Sequence, residues 1–320
     1  MSALPSRMTH GERVRAALAG EPLDRVPLIF WHHFQPAGSG ERLAQLTRAF
    51  FCERFDLDIV KIMPDLPYPT PPQAATPAAL RNVPHLDLDT PLFQEQLTCI
   101  RLLRAHLGED YPLLLTIFSP LTYAMRWIGR DKIVQAVRQD PQAFEQGLPV
   151  IADNLRLLLS AAIEAGASGI FFSCMGATNR LFTRAEYARI GRPFDLQALA
   201  DTGNGWLNIV HIHADPEQEG DEIYFEDFTD YPVQAISWSD RLTGPDLAEA
   251  LALTDKCLMG GLAERGPLTH GTERELENEI LGAVTQTKGR RLILANGCSV
   301  PDDTPEHWLH AARRLVEQLH

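Results

Sequence analysis

His211-Ile-His213 closes the apolar run Leu207–Val210, and Cys298 ends the segment Ile293-Leu-Ala-Asn-Gly-Cys298. Two imidazoles at i and i+2 on a strand point to the same face. A thiolate brought alongside them completes three legs of a tetrahedral zinc site with one position open. An ion held that way binds a thiol or a water and favours loss of its proton. The bland alternative is a pair of histidines hydrogen-bonded to their neighbours, so the reading turns on whether the three residues meet. Other residues also carry chemistry. His32 and His33 are adjacent on a strand, so only one faces inward, where a substrate or base role is open to it. Asp65, between Pro64 and Leu66-Pro67, fits a turn as well as a substrate contact. Lys61 interrupts an apolar run and reads as a lysine snorkelling at the wall. Cys52, Cys99 and Cys257 read as small buried hydrophobes, and Cys174 leans the same way. The chain has no Gly-rich phosphate loop, P-loop or nucleophile elbow.

The elements that must position these groups alternate strictly. Eight short β-branched or aromatic runs read as strands: Val26–Trp31, Asp58–Met63, Pro112–Phe118, Gly169–Ser173, Leu207–His213, Val233–Trp238, Cys257–Leu262 and Arg291–Asn296. Their nearly continuous apolar character suits a parallel sheet buried on both faces. Between them the period becomes helical. Leu43, Leu46 and Phe50 share one face, as do Leu276, Ile280 and Val284 behind a Thr272-x-x-Glu275 capping box. Thr304-Pro305 marks the start of a last helix striped by Trp308, Ala312, Leu315 and Leu319. An extra helix over about 11–18 precedes the first strand, and Pro67–Pro84 reads as a long loop. Eight β/α units predict a single (β/α)8 TIM barrel over residues 1–320 with an extra N-terminal helix. Polar residues follow nearly every strand: His32, His33, Asp65, Ser119, Ser173, Cys174, His211, His213, Ser239, Asp240, Glu264, Asn296 and Cys298. That is the C-terminal face, where barrel enzymes place their sites.

The balance of 29 basic against 42 acidic residues, a formal charge of −13, argues against nucleic acid and anionic membrane as partners. No apolar run is long enough to span a membrane. The first ten residues lack a signal peptide's apolar core, and five scattered cysteines do not read as a disulfide framework, so a reducing cytoplasm is expected.

Several blocks resemble the uroporphyrinogen decarboxylase superfamily. They are Glu12-Arg-Val-Arg-Ala-Ala-Leu-Ala-Gly-Glu-Pro-Leu-Asp-Arg-Val-Pro27, Phe55-Asp-Leu-Asp-Ile-Val60, Ser119-Pro-Leu-Thr122, Ile170-Phe-Phe-Ser173 and Asn296-Gly-Cys-Ser-Val-Pro-Asp-Asp-Thr-Pro-Glu306. The similarity runs from about residue 11 to the C-terminus and implies a (β/α)8 barrel. The superfamily holds metal-free decarboxylases and zinc-dependent methylcobamide:coenzyme M methyltransferases. The decarboxylases grip an octacarboxylate substrate with arginines in Pro-Val-Trp-x-Met-Arg-Gln-Ala-Gly-Arg. Here the stretch reads Pro27-Leu-Ile-Phe-Trp-His-His-Phe-Gln-Pro36, with His32 and Pro36 at the arginine places, so the bidentate clamps are gone. Arg126 stands where that branch has a tyrosine and Asn296 where it has a histidine. Asp65 and Ser173 match site residues of the decarboxylases.

The methyltransferase branch carries His-x-Cys on strand five and a cysteine after strand eight as zinc ligands. His211 and Cys298 match, and His213 replaces the middle cysteine with another competent donor. Asp240 lies near the place of an acidic fourth ligand in related zinc methyltransferases. The resemblance therefore implies Zn²⁺ on His211, His213, Cys298 and Asp240. Asp65, His32 and Ser173 are then candidate catalytic residues, with Arg126 and Asn296 at the cofactor. The expected reaction moves a methyl group between a corrinoid, supplied by a separate protein, and a thiol or other small acceptor. Two imidazoles and one thiolate leave Zn²⁺ with a net charge near +1, against near zero for one imidazole and two thiolates. The more positive centre suits an easier acceptor, or water, so coenzyme M need not be the substrate. Three alternatives stand beside this reading: metal-free decarboxylation of a tetrapyrrole or related acid at Asp65, a zinc hydrolase, and corrinoid or tetrapyrrole binding without turnover.

Overall fold

The computed structural model describes residues 7–34, 36–69, 76–214 and 220–319. The expectations that touch residues 1–6, Gln35 and residues 70–75 of the Pro67–Pro84 loop lie outside the described residues. All eight expected strands are present, several of them shorter than their apolar runs. They are β1 (Leu28–Ile29), β2 (Val60–Ile62), β3 (Leu113–Phe118), β4 (Gly169–Met175), β5 (Ile209–His213), β6 (Ala235–Trp238), β7 (Cys257–Leu262) and β8 (Leu292–Asn296). They form one curled parallel sheet in the order β1-β8-β7-β6-β5-β4-β3-β2, the α/β arrangement of a barrel.

Helices wrap the outside. α1 (His10–Ala19) is the expected extra helix; α2 (Gly40–Arg48), α3 (Pro91–Leu107), α4 (Pro120–Ile128), α5 (Arg130–Gln139) and α6 (Pro141–Glu164) follow. Then come α7 (Arg184–Ile190), α8 (Arg192–Leu199), α9 (Leu247–Leu253), α10 (Glu273–Thr287) and α11 (Glu306–Gln318). The Thr272–Glu275 box caps α10 as read from sequence, while α11 starts one residue later than expected, with Pro305 at its cap. The loop after β2 is not featureless: Pro77–Asn82 makes a short 3-10 turn that seats Leu80 against α6 at Gly147. No helix among the described residues is long and apolar enough to cross a membrane.

Strands β1 and β2 end the ladder, and two aspartates at the ends of β2 stitch them together. Below β2, the Asp58 N–H donates to the Leu28 carbonyl, and the Asp58 carboxylate accepts the Leu28 N–H. The same carboxylate takes Arg13, both guanidinium nitrogens of Arg25 and the His10 ring. Burial alone would raise its pKa, but the His10 hydrogen bond and the two arginines hold it well below the ordinary carboxylate range. Above β2, Asp65 accepts the Phe34 N–H at 2.8 Å and meets His33 Nδ1 at 2.7 Å, and its carbonyl takes the Ala37 N–H.

Candidate metal centre

Ladder register puts Ser173, His211 and Ser237 side by side on β4, β5 and β6. Residues two apart on a strand share a face, so Phe171, His211 and His213 look the same way. The Phe171 ring stacks on His211 with centroids 5.3 Å apart, which identifies that face as the barrel interior. Cys298 comes from the turn after β8. That turn is shaped by Asn296, whose side-chain amide donates to the carbonyls of Trp31 and Cys298. It also needs Gly297, because a Cβ there would lie 2.5 Å from Ser239 Cα.

These elements bring the three expected donors together. A ligand atom from each of His211, His213 and Cys298 lies within 4.8 Å of the others, and Cys298 Sγ is 3.7 Å from His213 Nδ1. A tetrahedral zinc with ordinary bond lengths separates sulfur and nitrogen donors by about 3.6 Å. The group therefore fits the ion with sub-ångström to ångström adjustments. Burial, reinforced by His213 and Lys61, pushes His211 well below the usual histidine range, so it is the neutral imidazole that ligation requires. Its Nδ1 meets Ser237 Oγ at 3.1 Å, which orients the ring and leaves Nε2 for an ion. Burial and the charge of Glu264 push the Cys298 thiol up to about 11. A cation is what converts that thiol to thiolate near neutral pH.

Lys61 corrects the sequence reading. It does not snorkel at the wall; it is buried, its ammonium 4.4 Å from the Phe171 ring centroid and 4.9 Å from that of Trp31. Among the described residues its only hydrogen-bond partner is Met63 Sδ at 3.4 Å. Burial lowers its pKa to about 7, against the opposing pull of Cys298 and Asp65. The signal was present in the sequence as a cation breaking an apolar strand, but an inward and an outward lysine look alike there.

The other candidates divide. Ser173 is buried beside His211. Asn296 is fully buried, and its amide builds the Cys298 turn. Arg126 is exposed on α4, its guanidinium 4.5 Å from the Phe118 ring centroid. Of the adjacent histidines, His33 rather than His32 partners Asp65. His32 instead packs on Phe34 and Phe50, with Asp302 3.8 Å away, and burial lowers its pKa. Asp240 does not join the donor group. Its Oδ1 accepts the Gly261 N–H at 2.7 Å, and burial raises its pKa to about 7. Cys99 and Cys257 are buried as expected, Cys52 is half-buried, and Cys174 points to Asp195 at 3.6 Å, away from the donor group.

His213 opens onto a cavity of about 210 Å³ lined with both signs of charge, including Arg130, Asp131, Arg180 and Asp221. A larger concavity, about 690 Å³, lies at the opposite end of the barrel near His10, Asp24 and Arg25. Its Arg13 and Arg25 are already committed to Asp24 and Asp58, so size does not make it the reactive site.

The chain resembles solved structures in fold. A methyltransferase from Methanosarcina mazei superimposes with a TM-score of 0.74 at 19% identity, covering 98% of this chain and 99% of that one. A Listeria monocytogenes protein proposed to be a vitamin-B12-independent methionine synthase gives 0.57 at 12% identity, covering 88% and 86%. A B12-independent methionine synthase from a Shewanella species, in complex with selenomethionine, gives 0.52 at 15% identity, covering 69% and 66%. No curated protein matches the sequence. The family model described as uroporphyrinogen decarboxylase (URO-D) matches residues 52–319. Carried by that match, by the sequence blocks and by the curled eight-stranded sheet, the conclusion is that this chain belongs to the URO-D family.

Proposed function

We propose that this protein is a zinc-dependent methyltransferase that moves a methyl group between a corrinoid, carried by a partner protein, and a thiol or other small acceptor. The observation that carries the reading is the convergence of His211, His213 and Cys298 on one point in the barrel mouth. Zinc bound there would supply a positive centre that stabilises thiolate over thiol. The rest is work for the chain. Ser237 holds the His211 ring, Phe171 backs it, and Asn296 with Gly297 presents Cys298. The adjoining cavity admits a small acceptor: at about 210 Å³ it is below the roughly 300–1,000 Å³ of sites for drug-sized ligands. Its mixed lining suits a polar or charged tail. At the rim, the exposed His33, oriented by Asp65, is suited to pass the acceptor's proton to solvent.

The decarboxylase reading draws less support. Both carboxylate oxygens of Asp65 are engaged by His33 and the Phe34 N–H. Elemental analysis of protein purified without added metal tests the proposal, with His211→Ala, His213→Ala and Cys298→Ala alongside. Stoichiometric zinc that is lost in the variants, with thiol-dependent demethylation of methylcobalamin, is expected. Metal content unchanged across all three variants overturns the mechanism. Retained zinc without any turnover leaves a binding protein.

A further inference from the structure

One layer below the donor group, the barrel interior holds two polar groups that the described residues leave unsatisfied. The first is Lys61, 1% exposed on β2. Its ammonium faces the rings of Phe171 and Trp31, and its one hydrogen bond among the described residues goes to the Met63 thioether. Cys298 and Asp65 act on it at longer range, and neither forms an ion pair with it. Two ring faces and a thioether return only part of the hydration that an ammonium gives up on burial.

The second is Thr116, 3% exposed on β3, whose Oγ1 has no hydrogen-bond partner among the described residues. The β2–β3 ladder pairs Lys61 with Leu114, two residues before Thr116, and the β3–β4 ladder pairs Thr116 with Phe171. Lys61 and Thr116 therefore face the same interior from neighbouring strands, which lie about 4.8 Å apart. Both can donate hydrogen bonds, and one carries a positive charge. What they lack is an anion, and two donors on adjacent strands suit one with an oxygen for each, as a carboxylate has.

We propose that Lys61 and Thr116 form a carboxylate-binding pocket on the floor of the site, which takes the acid group of the small acceptor. The pocket stands on the geometry of β2 and β3; its assignment to the acceptor rests on the methyl-transfer reading above. The His211 ring stacks on the same Phe171 that Lys61 faces. A short mercapto acid thus places its sulfur at the metal donors and its carboxylate on Lys61, with any further substituent in the cavity beside His213.

Metal-free protein tests the pocket first, at pH 6, where Lys61 carries its proton. Acetate is expected to raise the melting temperature saturably, relative to chloride at equal ionic strength. Lys61→Met should lose that response. Thr116→Val should weaken acetate about 10-fold, as loss of one hydrogen bond to a charged group does. Both substitutions keep the side-chain shape, so both variants should fold. An acetate response absent from wild type, or equal in Lys61→Met, overturns the pocket. Zinc-loaded protein then identifies the source of the carboxylate. Wild type should prefer 3-mercaptopropionate to 2-mercaptoethanol by about 10-fold or more, and the preference should collapse in Lys61→Met. Acetate binding without that preference assigns the pocket to a free carboxylate and overturns the acceptor's place in it. An acetate response in protein that takes up no zinc supports the pocket and overturns the zinc reading alone.

Discussion

The two ends of this barrel bury titratable groups under opposite rules. At the N-terminal end, Asp58 is wholly buried, yet every demand on it is met by Arg13, Arg25, His10 and the Leu28 N–H. At the C-terminal end, Lys61 and Glu264 are just as buried, and neither forms an ion pair with a described residue. Between them lie neutral His211 and a thiol driven up by burial. A paired buried charge closes a seam, whereas buried donors lacking a counter-ion mark a place that waits for one.

The most severe break of this comparison is Asp58→Ala, which strands the buried Arg25 guanidinium and leaves Arg13 to Asp24 alone. It should cost about 3–5 kcal/mol in urea unfolding and leave metal stoichiometry per folded chain untouched. Zinc loss from the folded fraction would mean the two ends are coupled.

Lys61→Met works the other way. The folded-state pKa of Lys61, about 7, lies below its ordinary 10.5. Below pH 7 the metal-free protein therefore bears the full penalty of a buried cation, and the penalty fades as pH rises from 7 towards 10.5. The variant should stabilise metal-free protein by on the order of 5 kcal/mol at pH 6 and by under about 1 kcal/mol at pH 10. Equal gains at both pH values would show that repacking, not charge, sets the effect.

Ser237→Ala removes only the partner of the His211 ring. Zinc affinity should fall about 10–100-fold by chelator competition, with the unfolding midpoint nearly unchanged. A large midpoint shift would make Ser237 a structural residue like Asp58.

The smallest expected effect is on the acid limb. Asp58 has a depressed folded-state pKa, so its contribution is complete above the ordinary aspartate range and drains away as pH falls below about 4. Thermal melts from pH 6 to pH 3 should show that limb in wild type and its absence in a folded Asp58→Asn variant.

Much of this was legible in the sequence, for identifiable reasons. The strands were readable because burial on both faces makes their runs continuously apolar; their N-terminal ends were overcalled because apolar residues continue into the barrel's lower turns, as at Val26 and Val233. His211 and His213 were readable because a two-residue period fixes a shared face. The partner of Asp65 was not, because either of two adjacent histidines could turn towards it, and the packed structure gives that place to the exposed His33. Asp240 and Glu264 are both acids just after a strand, and nothing local separates them.

Local period and residue chemistry thus determined the alternation of strands and helices and the donor types available to a metal. Only the curled sheet decided which donors meet. Cys298 and His213 are 85 positions apart, and their 3.7 Å separation depends on the register of every strand between β5 and β8. The same packing turned Lys61 inward, spent Asp240 on a backbone amide and left Glu264 beside the turn that carries the thiol, because burial and pairing belong to the packed whole.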